Sequence, residues 1–204
     1  MYGNQTTLQY HNGDRYIGQV TATQTGATPH GQGTMYHQNG QIYTGAFYLS
    51  IRHGHGKVTY PNGDSYFGNF QNGQFHGAGE SFRVRDNRRY VGNHVAGFEE
   101  GYGTFTGTAT VQNGGQKRYE GYMVKGRRQG QGTQWVTALD GNVATFQGEW
   151  RNDLLHGPGT LTSTNRIISG MFQYGKLEGQ CTSVDTLTGI PQTVWYRGGT
   201  PVLY

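Results

Sequence analysis

Pairs of glycines nine residues apart recur along this chain, and they constrain its fold more than any other feature. Gly68 and Gly77 form such a pair inside the segment 66–79, which reads aromatic-x-Gly-x-aromatic, a polar turn, then His-Gly-x-Gly. Five other pairs keep this spacing, and Gly18 and Gly31 fit it with a four-residue insertion. A period of 22 to 29 residues indicates a repeat architecture. The seven copies open at Tyr16, Tyr43, Tyr66, Tyr90, Tyr119, Phe146 and Ile168.

Each copy has the pattern of a β-hairpin. Tyr66, Gly68 and Phe70 share one face of a strand, because side chains alternate with period two. The short polar segment after them suits a hairpin turn. Pairs such as Asn39-Gly40 and Asn62-Gly63 are typical of a second kind of turn, which joins one hairpin to the next.

The glycines inside these strands predict close backbone approach. Glycine normally weakens a strand, and there it marks a place where another group comes near. Because the glycines recur opposite aromatic residues, we expect each ring to cover the bare backbone of the neighbouring strand, as over Gly77 and Gly79. Stacked hairpins of this kind predict an all-β fold, an elongated, twisted, single-layer antiparallel sheet.

The repeated pattern resembles the MORN repeat (membrane occupation and recognition nexus), over roughly residues 8 to 198. The resemblance implies a solenoid of stacked β-hairpins. We predict a single domain over residues 1–204, with a half-repeat cap at 1–13 and a C-terminal cap at 190–204.

Several positions depart from the repeat, and we expect local bulges or looser packing at them. The histidine is replaced by Glu100, Gln129 and Glu178, and the last glycine is replaced by Cys181. Ile168 replaces the opening aromatic residue. Ser81 and Gln134 stand where a hydrophobic strand residue is expected.

Composition narrows the class of protein. Only 33% of residues are hydrophobic and 36 are glycine, so the aromatic 13% must supply most of the burial. No run approaches 18 apolar residues, and the first residues do not match a signal peptide. Cys181 is the single cysteine, which fits a reducing compartment. The expected location is therefore cytoplasmic.

The positive charge concentrates in the middle of the chain. Nine lysines and arginines there fall near repeat boundaries and turns. This placement predicts that they lie along one edge of the sheet and bind an anionic partner. They are Arg83, Arg85, Arg88, Arg89, Lys117, Arg118, Lys125, Arg127 and Arg128. A net charge of +4 supports only weak membrane adhesion, and so modest a patch predicts no nucleic-acid partner.

The histidines and acids predict no catalytic site. His30, His53, His76 and His156 take the repeat's own histidine position, and ligands spaced along a rod do not converge on a metal. No nucleophile, acid or phosphate-loop pattern has a distinctive spacing. We therefore expect no metal, cofactor or enzymatic activity.

The remaining classes are binding functions. Hydrophobic residues recur on the face of the sheet that carries the opening tyrosine of most repeats, which we call the tyrosine face. They predict a protein-binding groove, with Trp150 as an anchor. They are Phe47, Phe70, Met123, Trp150 and Phe172. The favoured hypothesis is a scaffold that holds an acidic or amphipathic segment of a partner, with self-association through the sheet ends as a further option. The MORN resemblance implies that the scaffold is a component of a cytoskeletal assembly such as a ciliary or flagellar axoneme, similar to a radial-spoke protein. The alternative function is that of a module that binds anionic phospholipid membranes.

Overall fold

The computed structural model describes residues 5–109 and 115–202. The described residues form β-strands and turns, and no helix among them is long and apolar enough to cross a membrane. The chain divides into two compact units, Met1–Phe98 and Glu99–Tyr204. The prediction of a single domain over the whole chain stays a prediction.

The first unit is an antiparallel sheet in which each strand pairs with its neighbours in the sequence. Its strands are β1 (Thr6–Gln9), β2 (Arg15–Thr23), β3 (Gly26–Tyr36), β4 (Ile42–Tyr48), β5 (Ile51–Thr59), β6 (Ser65–Gln71), β7 (Gln74–Arg83) and β8 (Arg88–Val95). Strand β1 pairs with β2 and continues the sheet, as expected of the predicted N-terminal cap. Residues 1–4 of that cap lie outside the described residues.

The second unit repeats this arrangement, and its strands also pair antiparallel in chain order. They are β9 (Phe98–Thr108, of which Phe98 belongs to the first unit), β10 (Gln116–Val124), β11 (Arg127–Thr137), β12 (Val143–Arg151), β13 (Leu154–Thr162), β14 (Arg166–Gln173), β15 (Lys176–Asp185), β16 (Pro191–Arg197) and β17 (Thr200–Val202). The C-terminal cap is the hairpin β16–β17, and residues 203–204 lie outside the described part. The all-β prediction of stacked antiparallel hairpins is confirmed.

Tyrosine rings cover glycines of the neighbouring strand, as the sequence predicts. Tyr66 is fully buried, and a Cβ atom added to Gly79 would lie only 2.4 Å from its hydroxyl oxygen. The same contact recurs elsewhere as Tyr16 over Gly33, Tyr43 over Gly56 and Tyr119 over Gly132. Gly77 is different, because a Cβ there would meet only the Asn69 side chain at 3.5 Å. Its φ of +68° explains the glycine, so the prediction that a ring covers Gly77 is wrong.

A β-bulge follows the repeat tyrosine in both units. In the first unit the register of β6 and β7 shifts between Gly68 and Phe70, which leaves Asn69 without a cross-strand partner. The hydroxyl of Tyr66 donates a hydrogen bond to the Asn69 carbonyl at 2.9 Å. Equivalent bonds join Tyr16 to Gln19, Tyr43 to Ala46, Tyr90 to Asn93 and Tyr119 to Tyr122. The hydroxyl therefore explains why five of the seven repeats have tyrosine at this position, whereas Phe146 in the sixth repeat cannot make this bond.

The bulges do not lie where the sequence led us to expect them. Ser81 keeps a regular register with both Tyr66 and Tyr90, and Gln134 pairs regularly with Tyr119 and Phe146. The expectation of bulges at these two positions is wrong, because the bulge belongs to the general repeat and follows its tyrosine.

The seventh repeat fills the same space with different atoms. Ile168 replaces the tyrosine, and Cys181 replaces the glycine that a ring would cover. The Cys181 thiol is buried and lies over Gly170, where a Cβ atom would come within 2.3 Å of the sulfur. Burial raises the pKa of this thiol. The exchange is therefore compensatory, and the expectation of looser packing at Cys181 is wrong.

Successive repeats are also joined at their hairpin tips. In the first unit the amide of Gly73 donates to the carbonyl of Arg52 at 2.9 Å, one repeat earlier. Further bonds of this kind run from Ser50 to Pro29, Gly97 to Phe75, Gly126 to Glu99, Asp153 to Arg128, Gly175 to Leu155 and Gly199 to Leu177. Each acceptor is the residue just before the repeat's histidine position. The bond therefore holds the histidine position close to the hairpin turn of the next repeat.

Candidate functional site

The predicted groove residues form the core of each unit. Phe47 and Phe70 are buried in the first unit, and Met123, Trp150 and Phe172 are buried in the second, with exposed fractions of 1 to 4%. Phe70 lies edge-on to both Tyr43 and Tyr66, with ring centroids about 5 Å apart. The prediction that these five side chains together line one open groove is wrong, because the tyrosines of the same face pack against them, although Phe47 also lines a cavity in the first unit.

The buried tyrosine hydroxyls are not acids or nucleophiles at neutral pH. Burial raises the pKa of Tyr16, Tyr43 and Tyr66 to about 12. Each hydroxyl also donates to a bulge carbonyl, which holds its proton. These groups are structural.

The repeat histidines lie near exposed rings at the hairpin tips. His30 and His53 both lie near Tyr48, at ring-centroid distances of 5.3 and 6.1 Å. His156 and Tyr174 repeat the contact in the second unit at 6.0 Å. Among residues 5–109 and 115–202, no three His, Cys, Asp or Glu side chains come together as metal ligands would.

The nine basic residues do not share one edge. In the second unit Lys117 and Arg118 lie at the start of β10, whereas Lys125 and Arg127 lie at its opposite end, where Val124 faces Arg127. Successive turns of a hairpin stack alternate between the two ends of the strands, so chain proximity does not place these residues together. The predicted basic edge is wrong in this respect.

Acidic residues neutralise several of these basic side chains. Arg89 forms a two-bonded ion pair with Glu80 at 2.6 and 2.7 Å. Arg118 contacts Glu120, and Arg83 contacts Asp86. Arg85, Lys125 and Arg127 are exposed. The surface offered to an anionic partner is smaller than the sequence predicts.

Arg128 is a structural residue of the second unit. Its guanidinium lies 4.1 Å from the ring centroid of Trp150, which is a cation–π contact. Its Nε donates to the Asp153 carboxylate at 3.2 Å, its Nη2 donates to the Asp153 carbonyl, and its Nη1 donates to Gln134. The side chain is only 17% exposed, so it belongs to the core.

The first unit has an open cavity on its tyrosine face, of about 300 Å³. Its lining combines apolar and polar side chains with a single arginine, and consists of Met35, His37, Gln41, Tyr43, Phe47, Ser50, Ile51, Arg52 and Gly73. This cavity was not predicted from the sequence. The signal was an arginine two residues before Gly54, where other repeats place Phe75, Leu155 or Leu177.

The model of the MORN repeat family matches residues 28–42, 43–65, 66–81, 90–108, 119–136 and 146–166, more than half of the chain. The chain belongs to the MORN repeat family. Five of the matched segments begin at predicted repeat starts. The copy that opens at Ile168 lies outside them, although β14 and β15 form its hairpin. MORN repeats are interaction modules, and no catalytic family is indicated.

Comparison with curated protein sequences finds no match. One similar solved structure is the TCP domain of Drosophila melanogaster SAS-4 (dCPAP), in complex with a proline-rich motif of Ana2 (dSTIL). It is 9% identical, and the match covers 93% of this chain and 88% of that domain with a TM-score of 0.42.

Proposed function

We propose that this MORN-repeat chain is a non-enzymatic scaffold that binds other proteins. The observation that carries the proposal is a difference between the two faces of each unit: one is largely buried and the other exposes aromatic and apolar side chains. The tyrosine face packs on itself, whereas the opposite face exposes Tyr48 and Phe67 in the first unit and Tyr122 and Met171 in the second, each about half exposed. Exposed aromatic side chains on a rigid sheet are typical anchors of protein interfaces.

The proposed setting is a eukaryotic cytoskeletal assembly such as a ciliary or flagellar axoneme, in which this chain acts as a structural or adaptor component. Its support is the family, whose members include cytoskeletal and ciliary proteins. The proposed location is accordingly the cytoplasm, at the cytoskeleton.

Binding to anionic phospholipid membranes is the second candidate. The exposed Arg85, Lys125 and Arg127 favour it, since basic side chains near an anionic surface each contribute about 1 kcal/mol. The ion pairs of Arg83, Arg89 and Arg118 count against it, because those charges already have acidic partners.

Native purification from ciliated cells, followed by mass spectrometry, tests the scaffold proposal. We expect the tagged chain to retain a defined set of cytoskeletal proteins, and a Tyr48→Ser, Phe67→Ser variant to retain fewer of them while its circular dichroism is unchanged. In parallel, the purified chain is sedimented with phosphatidylserine and with phosphatidylcholine vesicles. A chain that retains no protein but sediments with phosphatidylserine vesicles, in a salt-sensitive manner, would replace the scaffold by the lipid function.

A further inference from the structure

Arg52 and Arg128 occupy the same position in two different repeats, one in each unit. Each lies two residues before the second glycine of its pair, Gly54 or Gly130. Each guanidinium also lies over the repeat tyrosine at 5.8 Å, Tyr43 or Tyr119. The following repeat supplies the second ring, Phe70 at 5.5 Å for Arg52 and Trp150 at 4.1 Å for Arg128. The two sites therefore share one aromatic framework.

The two arginines differ in their hydrogen-bond acceptors. Nη2 of each donates to the carbonyl of the next tip, Gly73 for Arg52 and Asp153 for Arg128. Asp153 adds a carboxylate, which accepts from Nε of Arg128, and Gln134 accepts from Nη1. The residues aligned with Asp153 and Gln134 in the first unit are Gly73 and Val58, and neither has a side-chain acceptor.

Arg52 is consequently left with a polar group that lacks an acceptor. Its Nη1 is buried and makes no hydrogen bond to the described residues. A buried donor without an acceptor destabilises the folded protein, and a charged donor does so more strongly. A partner's carboxylate beside the guanidinium neutralises its charge on binding.

The surroundings of Arg52 fit a carboxylate attached to an apolar segment. Arg52 lines the cavity beside Met35, Tyr43 and Phe47, and no acidic residue is part of that lining. His37 also lines the cavity, and its Nδ1 contacts the Asp14 carboxylate at 2.9 Å. The cavity therefore places a guanidinium without an acidic partner next to the side chains of Met35, Tyr43 and Phe47.

We propose that this cavity binds an acidic peptide segment of a partner protein, in which an Asp or Glu side chain is flanked by apolar residues. The peptide carboxylate accepts from the Arg52 guanidinium and takes the part that the Asp153 carboxylate plays beside Arg128. The flanking apolar side chains contact Ile51, which lines the same cavity and is 48% exposed. This inference rests on the proposed scaffold function and names the chemistry of one partner.

The second unit supplies the design of a blocking variant. Asp153 adopts a φ of +71° and Gly73 a φ of +79°, so an aspartate fits the backbone at position 73. A Cβ atom there would meet only Ile51, at 3.9 Å. Gly73→Asp places an internal carboxylate beside Arg52, and Gly73→Asn is the matched control of equal size without the charge. Arg52→Gln removes the cation directly.

The test uses two phage-displayed libraries of short peptides, selected on the full chain. One library has a fixed Glu between randomised apolar positions, and the other has Gln in its place. We expect only the Glu library to yield binders. Fluorescence anisotropy with labelled selected peptides should then show binding weakened roughly tenfold or more by Gly73→Asp and by Arg52→Gln, and nearly unchanged by Gly73→Asn. Glu→Gln in the peptide should weaken binding similarly, a result that depends on no protein variant.

Three results would overturn the inference. They are no enrichment in the Glu library, equal enrichment in both libraries, and selected peptides that bind Gly73→Asp as tightly as the wild type. Self-association of the wild type that Gly73→Asp abolishes would assign the cavity to a second copy of the chain instead. If native partners are retained equally by wild type and Gly73→Asp, this inference fails and the scaffold function stands, whereas retention of no protein by either defeats the scaffold function itself.

Discussion

Replacement of Trp150 by alanine should lower the free energy of unfolding by about 3–5 kcal/mol, as is typical for removal of a buried large aromatic. The side chain is 4% exposed, lies edge-on to Tyr119 at 5.5 Å, and donates from Nε1 to the Gly132 carbonyl at 3.0 Å. The substitution also removes the ring beneath the Arg128 guanidinium. Urea unfolding followed by far-ultraviolet circular dichroism measures the change.

Trp195→Ala is the matched control for this prediction, because it removes the same side chain from a position that is 45% exposed in the same unit. We expect the control to cost far less, since exposed substitutions usually change stability little. A Trp150→Ala protein as stable as the wild type would contradict the core assignment. If that protein had also lost its partners, Trp150 would regain the role of interface anchor.

Acid should weaken the first unit through His94. This side chain replaces the second aromatic of its repeat, is 1% exposed, and packs edge-on against Tyr66 and Tyr90. Burial, reinforced by the charge of Arg88, lowers the pKa of His94 from 6.5 to about 4. The folded protein thus disfavours the protonated ring, which the unfolded chain accepts below pH 6.5.

The sign of the effect follows from proton linkage. Between pH 6.5 and pH 4 the unfolded chain binds more protons at His94, so the stability is complete above this window and falls as the pH falls through it. The loss amounts to about 3 kcal/mol once the pH is below 4. His94→Phe keeps a ring and removes the titration, and other groups cancel in the comparison. Equal pH dependence of the two proteins, or a His94 pKa near 6.5 in a nuclear magnetic resonance titration, would contradict this account.

The hairpins were predictable because their signals are local. A turn such as Asn62-Gly63 needs a residue with positive φ, and Gly63 adopts +88°. Alternation placed Tyr66 and Gly68 on one face, and the spacing brought Gly79 opposite Gly68. These relations depend on the backbone, which the repeat fixes.

The site was not predictable in the same way. Alternation assigns Phe70 and Trp150 to a face but does not say which face is covered, and the structure buries the face that the sequence led us to consider exposed. The roles of Arg52 and Arg128 depend on residues one repeat away, where glycine or aspartate decides whether an acceptor is present. The positions of the basic residues could not be inferred from their closeness in the sequence, because successive turns of the hairpin stack lie at opposite ends of the strands.

The central structural claim is that a ring over a glycine joins neighbouring strands, and a double-mutant cycle at Tyr66 and Gly79 tests it most directly. The cycle copies the seventh repeat, where Ile168 and Cys181 stand in their places. Gly79→Cys alone should destabilise by roughly 1–3 kcal/mol, because its side chain would occupy the space of the Tyr66 ring. With Tyr66→Ile present, the added cost of Gly79→Cys should fall by about 1 kcal/mol or more, a coupling expected of residues in contact. Strictly additive costs, measured by urea unfolding of the four proteins, would contradict the claim.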